Sequence, residues 1–289
     1  MQGNRMRPWS WIAVALLGAH GGVLAQAAPD DTIVVLGERD RQTKEQRFVE
    51  ALAEPSRNGQ LARFTDKVCP RSLGLSDKNN QDLARRMRRV AAAAHIPVAE
   101  EDCRPNVVVL FVQDRRSAIQ RWRVDRPDFF AGLKPAQIDR LAAGTDPVAA
   151  WQIIRVKGRD GRPMGRVDSD IYDYMVNQQA VPSRIASAIE IDFSASFVLI
   201  EQKLIGNSSL VQLADYAAMR TLASTDPQAG DKQRLPTILS LFTSPGEPVP
   251  LSVTQWDLGY LTALYDTRLA SRARDQQRAM GKTLERDGE

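Results

Sequence analysis

The chain has 289 residues, 43% of them hydrophobic and 26% charged, a composition that excludes wholesale disorder and suits a folded globular domain. Its formal net charge of +4 falls to about +2 once Arg5 and Arg7 leave with an N-terminal export signal, too little to argue for nucleic acid. Of the two histidines, His20 lies in that signal, so His95 alone remains and most histidine-based chemistry is excluded.

Arg5 and Arg7 precede an apolar stretch at residues 11–17, extended by small residues to Leu24, and Ala25-Gln26-Ala27 forms a small-x-small cleavage site. Residues 1–27 therefore read as a signal peptide, 28–42 as a flexible leader, 43–270 as a single α+β domain and 271–289 as a charged C-terminal tail. The apolar core of the signal is too short to span a bilayer, and no later run approaches the roughly 20 apolar residues of a membrane helix. The mature protein is expected to be soluble, without membrane insertion, in the periplasm of a Gram-negative type envelope or secreted. Cys69 and Cys103, the only cysteines, are expected to form a disulfide in such a compartment; two buried free thiols are the competing reading.

Residues 32–36 form a short apolar strand on the leader. Thr43 with Gln46 makes a capping box before Phe48, Val49 and Leu52, and Pro55 ends that helix. A strand is predicted over 63–68. Ser76 or Asp77 then caps a longer helix that turns Leu83, Met87, Val90, Ala91 and Ala94 inward, with Arg85, Arg86, Arg88 and Arg89 on a solvated face. Residues 107–112 are an unbroken apolar run, the pattern of a strand covered on both faces at the sheet centre. Asp114 caps the next helix, and Pro135 and Gly144 frame another. Residues 151–157 alternate as a half-buried strand leading to a turn at Asp160-Gly161, and 183–191 and 196–202 read as two further strands. Ser209 with Gln212 opens a helix burying Leu210, Leu213, Ala214, Ala217 and Leu222. Residues 224–236 are loop and 237–242 a short apolar piece. Ser252 with Gln255 opens a last helix with Trp256, Tyr260, Leu261, Leu264 and Leu269 inward, and beyond Ala270 the charged sequence is expected to fray.

Metal hydrolysis needs several imidazole, thiolate or carboxylate ligands on one face, and His95, after four alanines at a helix end, reads instead as a cap or packing residue. The same scarcity excludes a Ser-His-Asp triad, and no glycine-rich phosphate loop or dinucleotide fingerprint occurs. No cofactor and no metal are predicted. Asp168, Asp170 and Asp173, interleaved with Tyr172 and Tyr174, form the densest acidic cluster. It lacks the glycine and distal glutamate of a calcium loop, and its acids are the candidates for paired-carboxylate hydrolysis. Asp215, Tyr216 and Arg220 read as structural hydrogen-bonding or surface residues.

The stretch LIEQKLIGNSSLVQLADYAAMRTLA at 199–223, followed by LSLF and by LSVTQWDLGYLTALYDTRL at 251–269, resembles an uncharacterised class of exported bacterial proteins. Some members carry a helix beginning His-Glu at the place of ADYAAMR and are similar to zinc metallopeptidases of the zincin type. The resemblance covers about half the mature chain and implies a mixed sheet, an edge strand preceding an active-site-like helix, and a later helix packed beneath. No His-Glu pair lies between Leu204 and Ala223, so what it implies here is a zincin-like scaffold without zinc, a pseudoenzyme lacking the metal-bound water that would attack a peptide. TIVVLGERD at 32–40 is similar to the TonB box of outer-membrane transporters, which implies that Ile33, Val34 and Val35 pair as a strand with a cell-envelope protein. The expected protein is thus a periplasmic, non-catalytic interaction or accessory domain; the alternative is a metal-independent hydrolase using carboxylates.

Overall fold

An unbroken apolar run suits a strand covered on both faces, and β3 (Val107–Val112), buried along its first five residues, is such a strand. It lies between β2 (Pro70–Leu73) and the C-terminal half of β7 (Ile189–Glu201), parallel to both. β2 and β3 are joined by α2 (Asp77–Ala93), the long crossover that parallel neighbours require. The other edge of β7 carries β4 (Val148–Gly158), antiparallel to it, while β1 (Arg63–Phe64) pairs with Asp192 and Phe193 ahead of β3. A separate two-stranded sheet joins β5 (Gly165–Asp168) to β6 (Asp173–Val176). The computed structural model describes residues 38–56, 59–146, 148–158, 161–162, 164–168, 173–176, 187–226, 229, 236–242 and 248–287.

The period of two along β3 divides its side chains between two cores. Val107, Val109 and Phe111 face the larger one, built with α1 (Glu38–Leu52), α2, α5 (Leu210–Leu222), α6 (Gln255–Asp266) and α7 (Ala273–Asp287). Val108 and Leu110 face a smaller core under α3 (Arg115–Asp125), the 3₁₀ turn Pro127–Phe130 and α4 (Pro135–Ala143). There Trp151 stacks between Phe130 and Phe197, with ring centroids 5.5 and 5.2 Å away, and donates its Nε1–H to Phe129 O at 2.8 Å. The fold is α+β, a mixed sheet packed by helices, and the Cys69–Cys103 disulfide ties the residue before β2 to the loop before β3.

Several boundaries differ from expectation for identifiable reasons. β7 is one strand where two were predicted, because the break is a bulge: Ser194 has no partner between the Ile153↔Ala195 and Ile154↔Phe193 pairs, and its hydroxyl donates to Ile153 O at 3.1 Å. Residues 183–186 lie outside the described residues. α1 begins at Glu38, within the expected leader, so Thr43 is interior, and Gln46 bonds Glu50 at 2.9 Å instead of closing a capping box. α6 is capped by Thr254 with Asp257, two residues beyond the predicted pair: Asp257 Oδ2 accepts from Thr254 N at 3.0 Å, and Oδ1 from the Thr237 hydroxyl at 2.6 Å.

The expected tail is instead the helix α7, packed on α1 and α6. Its inward stripe is thin, Ala273, Met280 and Leu284, and is easily lost among its charges. Buried Gln276 completes the docking, accepting from Leu61 N at 2.8 Å and donating to Leu61 O at 3.2 Å. At Gly281 a Cβ would come within 2.6 Å of Gln46 Oε1, so this glycine leaves room for the Gln46 side chain between α1 and α7.

Candidate functional site

Of the acidic cluster singled out from sequence, only Asp168 and Asp173 fall among the described residues, and the backbone brings these two together. Ile33, Val34, Val35 and Asp170 lie outside the described residues. Asp168 and Asp173 are opposite one another in the backbone register of β5 and β6, away from the main sheet's ladder. His95 follows α2 with a positive φ of 57°; its N–H bonds Ala92 O at 3.0 Å and that of Ile96 bonds Ala91 O at 2.8 Å, closing the helix end. Asp215 is fully buried on α5 and grips α2: Arg86 donates Nε to its Oδ1 at 2.6 Å and Nη2 to its Oδ2 at 2.7 Å, and Val253 N donates to Oδ2 at 2.7 Å. Arg86 therefore leaves the solvated face expected for it. Among the described residues no cluster of three or more His, Cys, Asp and Glu could hold a metal.

A cleft of about 590 Å³ opens elsewhere, beside β4. Val148, Ala149, Ala150, Trp151 and Gln152 all line it. Successive strand side chains point to opposite faces, so five consecutive residues can border one cleft only if it runs along the strand's edge. One wall comes from the layer of α4, with Leu133, Gln137 and Leu141; the other comes from the layer of α5, with Glu54, Ser224 and Arg220. Arg115 shapes the end of the cleft, donating Nη1 to Gly144 O at 3.0 Å and Nη2 to Asp146 O.

The direction of the edge groups follows from one hydrogen bond. Ser196 donates its N–H to Asn106 O at 2.8 Å, on the β3 side, so its pairing with Gln152 is of the non-hydrogen-bonded kind. The N–H and C=O of Gln152 therefore point away from β7 and into the cleft, as do those of Ala150 and Val148, two and four residues back in regular register. An exposed edge is usually blunted by charge, bulge, proline or shortness. In β4 these devices begin only at residue 154, with the bulge, Arg155 and Lys157; residues 148–153 have none. The opposite edge, β2, is four residues long and starts with Pro70. Its groove, about 490 Å³, is lined by Arg85, which pairs with Asp82, and Arg88, which is bound to Ala99 O and Glu100 O.

Arg155 and Lys157 belong to a network closing the charged half of β4. Buried Asp192 accepts from Arg155 Nε at 3.1 Å and Nη2 at 2.8 Å, from Lys157 at 2.6 Å and from the Thr65 hydroxyl. Burial pushes its carboxyl up, but the bonds from Arg155, Lys157 and Thr65 outweigh burial and hold it below the usual range. A folded value below the unfolded one means that the stability it confers is complete at neutral pH and is lost as pH falls below about 3.9 towards the folded value. The melting-temperature gap between wild type and Asp192→Asn should therefore narrow below about pH 4; a gap independent of pH would contradict the network.

In the cleft, desolvation against the wall pushes the Glu54 carboxyl up, opposed by the charge of Arg220 and reinforced by Asp226. None of the cleft's key groups carries a motif: they come from the end of α1, from α4, from β4 and from the last turn of α5, and only the topology assembles them. The uncharged run 148–153 ahead of Arg155 was the one signal available. No protein-family model, curated protein or solved structure matches this chain.

Proposed function

We propose that this is an exported, non-catalytic interaction protein that binds an extended peptide segment of a partner by strand addition to the edge of β4 that no other described strand pairs with, on a scaffold similar to a zincin without its metal ligands. The observation that carries this reading is the outward N–H and C=O of Val148, Ala150 and Gln152 opening into a 590 Å³ cleft. Those groups span about 13 Å, enough for a segment of about five residues. Backbone pairing supplies affinity, and alternate side chains of the segment reach the two walls. The mixed sheet and α6 in contact with α5 are in keeping with the arrangement that the resemblance implies, although β7, the strand that runs into α5, lies inside the sheet and not at its edge. The disulfide fits an oxidising compartment, which supports export to the periplasm or beyond; among the described residues no helix is long and apolar enough to cross a membrane.

Ala150→Pro tests it. The substitution removes an N–H that faces the cleft and no bond of the β4–β7 ladder, a position where edge strands accept proline. The probe is a fluorescein-labelled ten-residue peptide of alternating Val and Ser with one central Glu, amidated at its C-terminus. We expect saturable binding to the wild type, weakened about tenfold or more in a folded Ala150→Pro variant. Equal binding by both proteins, or none by the wild type, would overturn the reading.

A carboxylate hydrolase has one observation in its favour, the raised Glu54 carboxyl sharing a cleft with Asp146. Recovery of the probe peptide intact after prolonged incubation supports binding alone; cleavage that disappears in Glu54→Gln would establish the hydrolase instead.

A further inference from the structure

Arg220 is only 6% exposed, and although its charge acts on the Glu54 carboxyl, among the described residues no carboxylate pairs directly with it. Its Nη1 donates to Thr225 O at 2.6 Å and to the Thr225 hydroxyl at 3.1 Å. The Nε–H is buried without an acceptor, and Nη2 has none among the described residues. A guanidinium stays charged at any working pH, and leaving one buried and unpaired is costly, so native structures seldom do it without a reason.

The unsatisfied edge is informative because this chain uses the same edge elsewhere. Arg86 grips Asp215, Arg155 grips Asp192 and Arg126 grips Asp128, each through Nε to one oxygen and Nη2 to the other, at 2.6 to 3.1 Å. In Arg220 that fork is the unsatisfied part, and the residue lines the cleft. Gln152 donates its Nε2–H to the main-chain carbonyl of Arg220 at 3.2 Å, which places the last turn of α5 beside the Gln152 end of the β4 edge.

We propose that Arg220 is the specificity-determining residue of the cleft and receives a carboxylate of the bound segment, held in two parallel N–H···O bonds near the register of Gln152. This rests on the strand-addition reading and adds to it the chemistry of the ligand. The carboxylate can come from an acidic side chain or from a chain terminus, and both satisfy the same fork.

Four peptides measured against the wild-type protein separate the outcomes: the amidated probe with its central Glu, the same peptide with Gln, and a version ending at the central position as either the free acid or the amide. The Glu peptide should bind about ten to one hundred times more tightly than the Gln peptide, a preference that Arg220→Gln removes. Preference for Glu over Gln assigns an acidic side chain, and preference for the truncated acid over its amide assigns a terminus; either supports the proposal. If Glu and Gln peptides, and truncated acid and amide, bind equally while Ala150→Pro still blocks them, Arg220 has no such role and the edge reading stands. If no peptide binds, the edge reading itself fails and takes this inference with it. The comparison among peptides needs only the wild-type protein, so it decides the matter even if Arg220→Gln does not fold.

Discussion

Asp215→Ala should cost about 3 to 5 kcal/mol of folding stability and lower the melting temperature by about 10 °C. The substitution removes a fully buried carboxylate that holds α5 to α2 through both donors of Arg86 and fixes the chain entering α6 through Val253 N. Arg86 keeps a quarter of its side chain in water, so part of its stranded charge can swing outward, which favours the lower end of that range. Urea unfolding should show a lower midpoint at unchanged slope. The pair Asp215→Leu and Arg86→Met should recover much of the loss, because replacing both ions with apolar groups also removes their desolvation cost. A single variant as stable as the wild type would mean that α2 and α5 are held by their apolar contacts alone.

Removing the disulfide should have an effect of similar size by a different route. Cys69 and Cys103 are 34 residues apart, and closing a loop of that length in the unfolded chain is worth about 3 to 4 kcal/mol in the chain-entropy picture. The loop contains β2 and α2, so the reduced protein loses stability mainly through an unfolded state that regains its freedom. Cys69→Ala/Cys103→Ala should unfold at correspondingly lower urea concentration, and the wild type should match it when unfolded in the presence of a strong reductant. If the reduced and oxidised proteins unfold together, the bond is not what stabilises β2 and α2, and a principal support for an oxidising compartment is gone.

Much of this fold was legible because local signals and burial agree along most of the chain. The apolar run of β3, the Ser76 and Asp114 caps and the Ser209–Gln212 box each follow from a few adjacent residues, and the disulfide from there being only two cysteines behind an export signal. What escaped depends on partners distant in sequence. Asp192 looks like a strand breaker until Arg155 and Lys157 of the neighbouring strand neutralise it, and α7 looks like a frayed tail until Gln276 meets Leu61. The candidate site was the least legible part, since a free strand edge is defined by what does not pair with it. The acids at Asp168 and Asp173 stood out for their density, whereas Arg220, in the last turn of a helix with ordinary spacing, reads from sequence as a structural or surface residue.

Amide hydrogen exchange resolved to single residues, with and without the Glu-containing peptide, tests strand addition most directly. Free, the amides of Ala150 and Gln152 should exchange rapidly while those of Ala149 and Trp151, bonded to β7, are protected. With the peptide bound, Ala150 and Gln152 should become protected as well. Peptide binding that leaves these two amides exchanging as before, or protects the β2 edge in their place, would contradict the account.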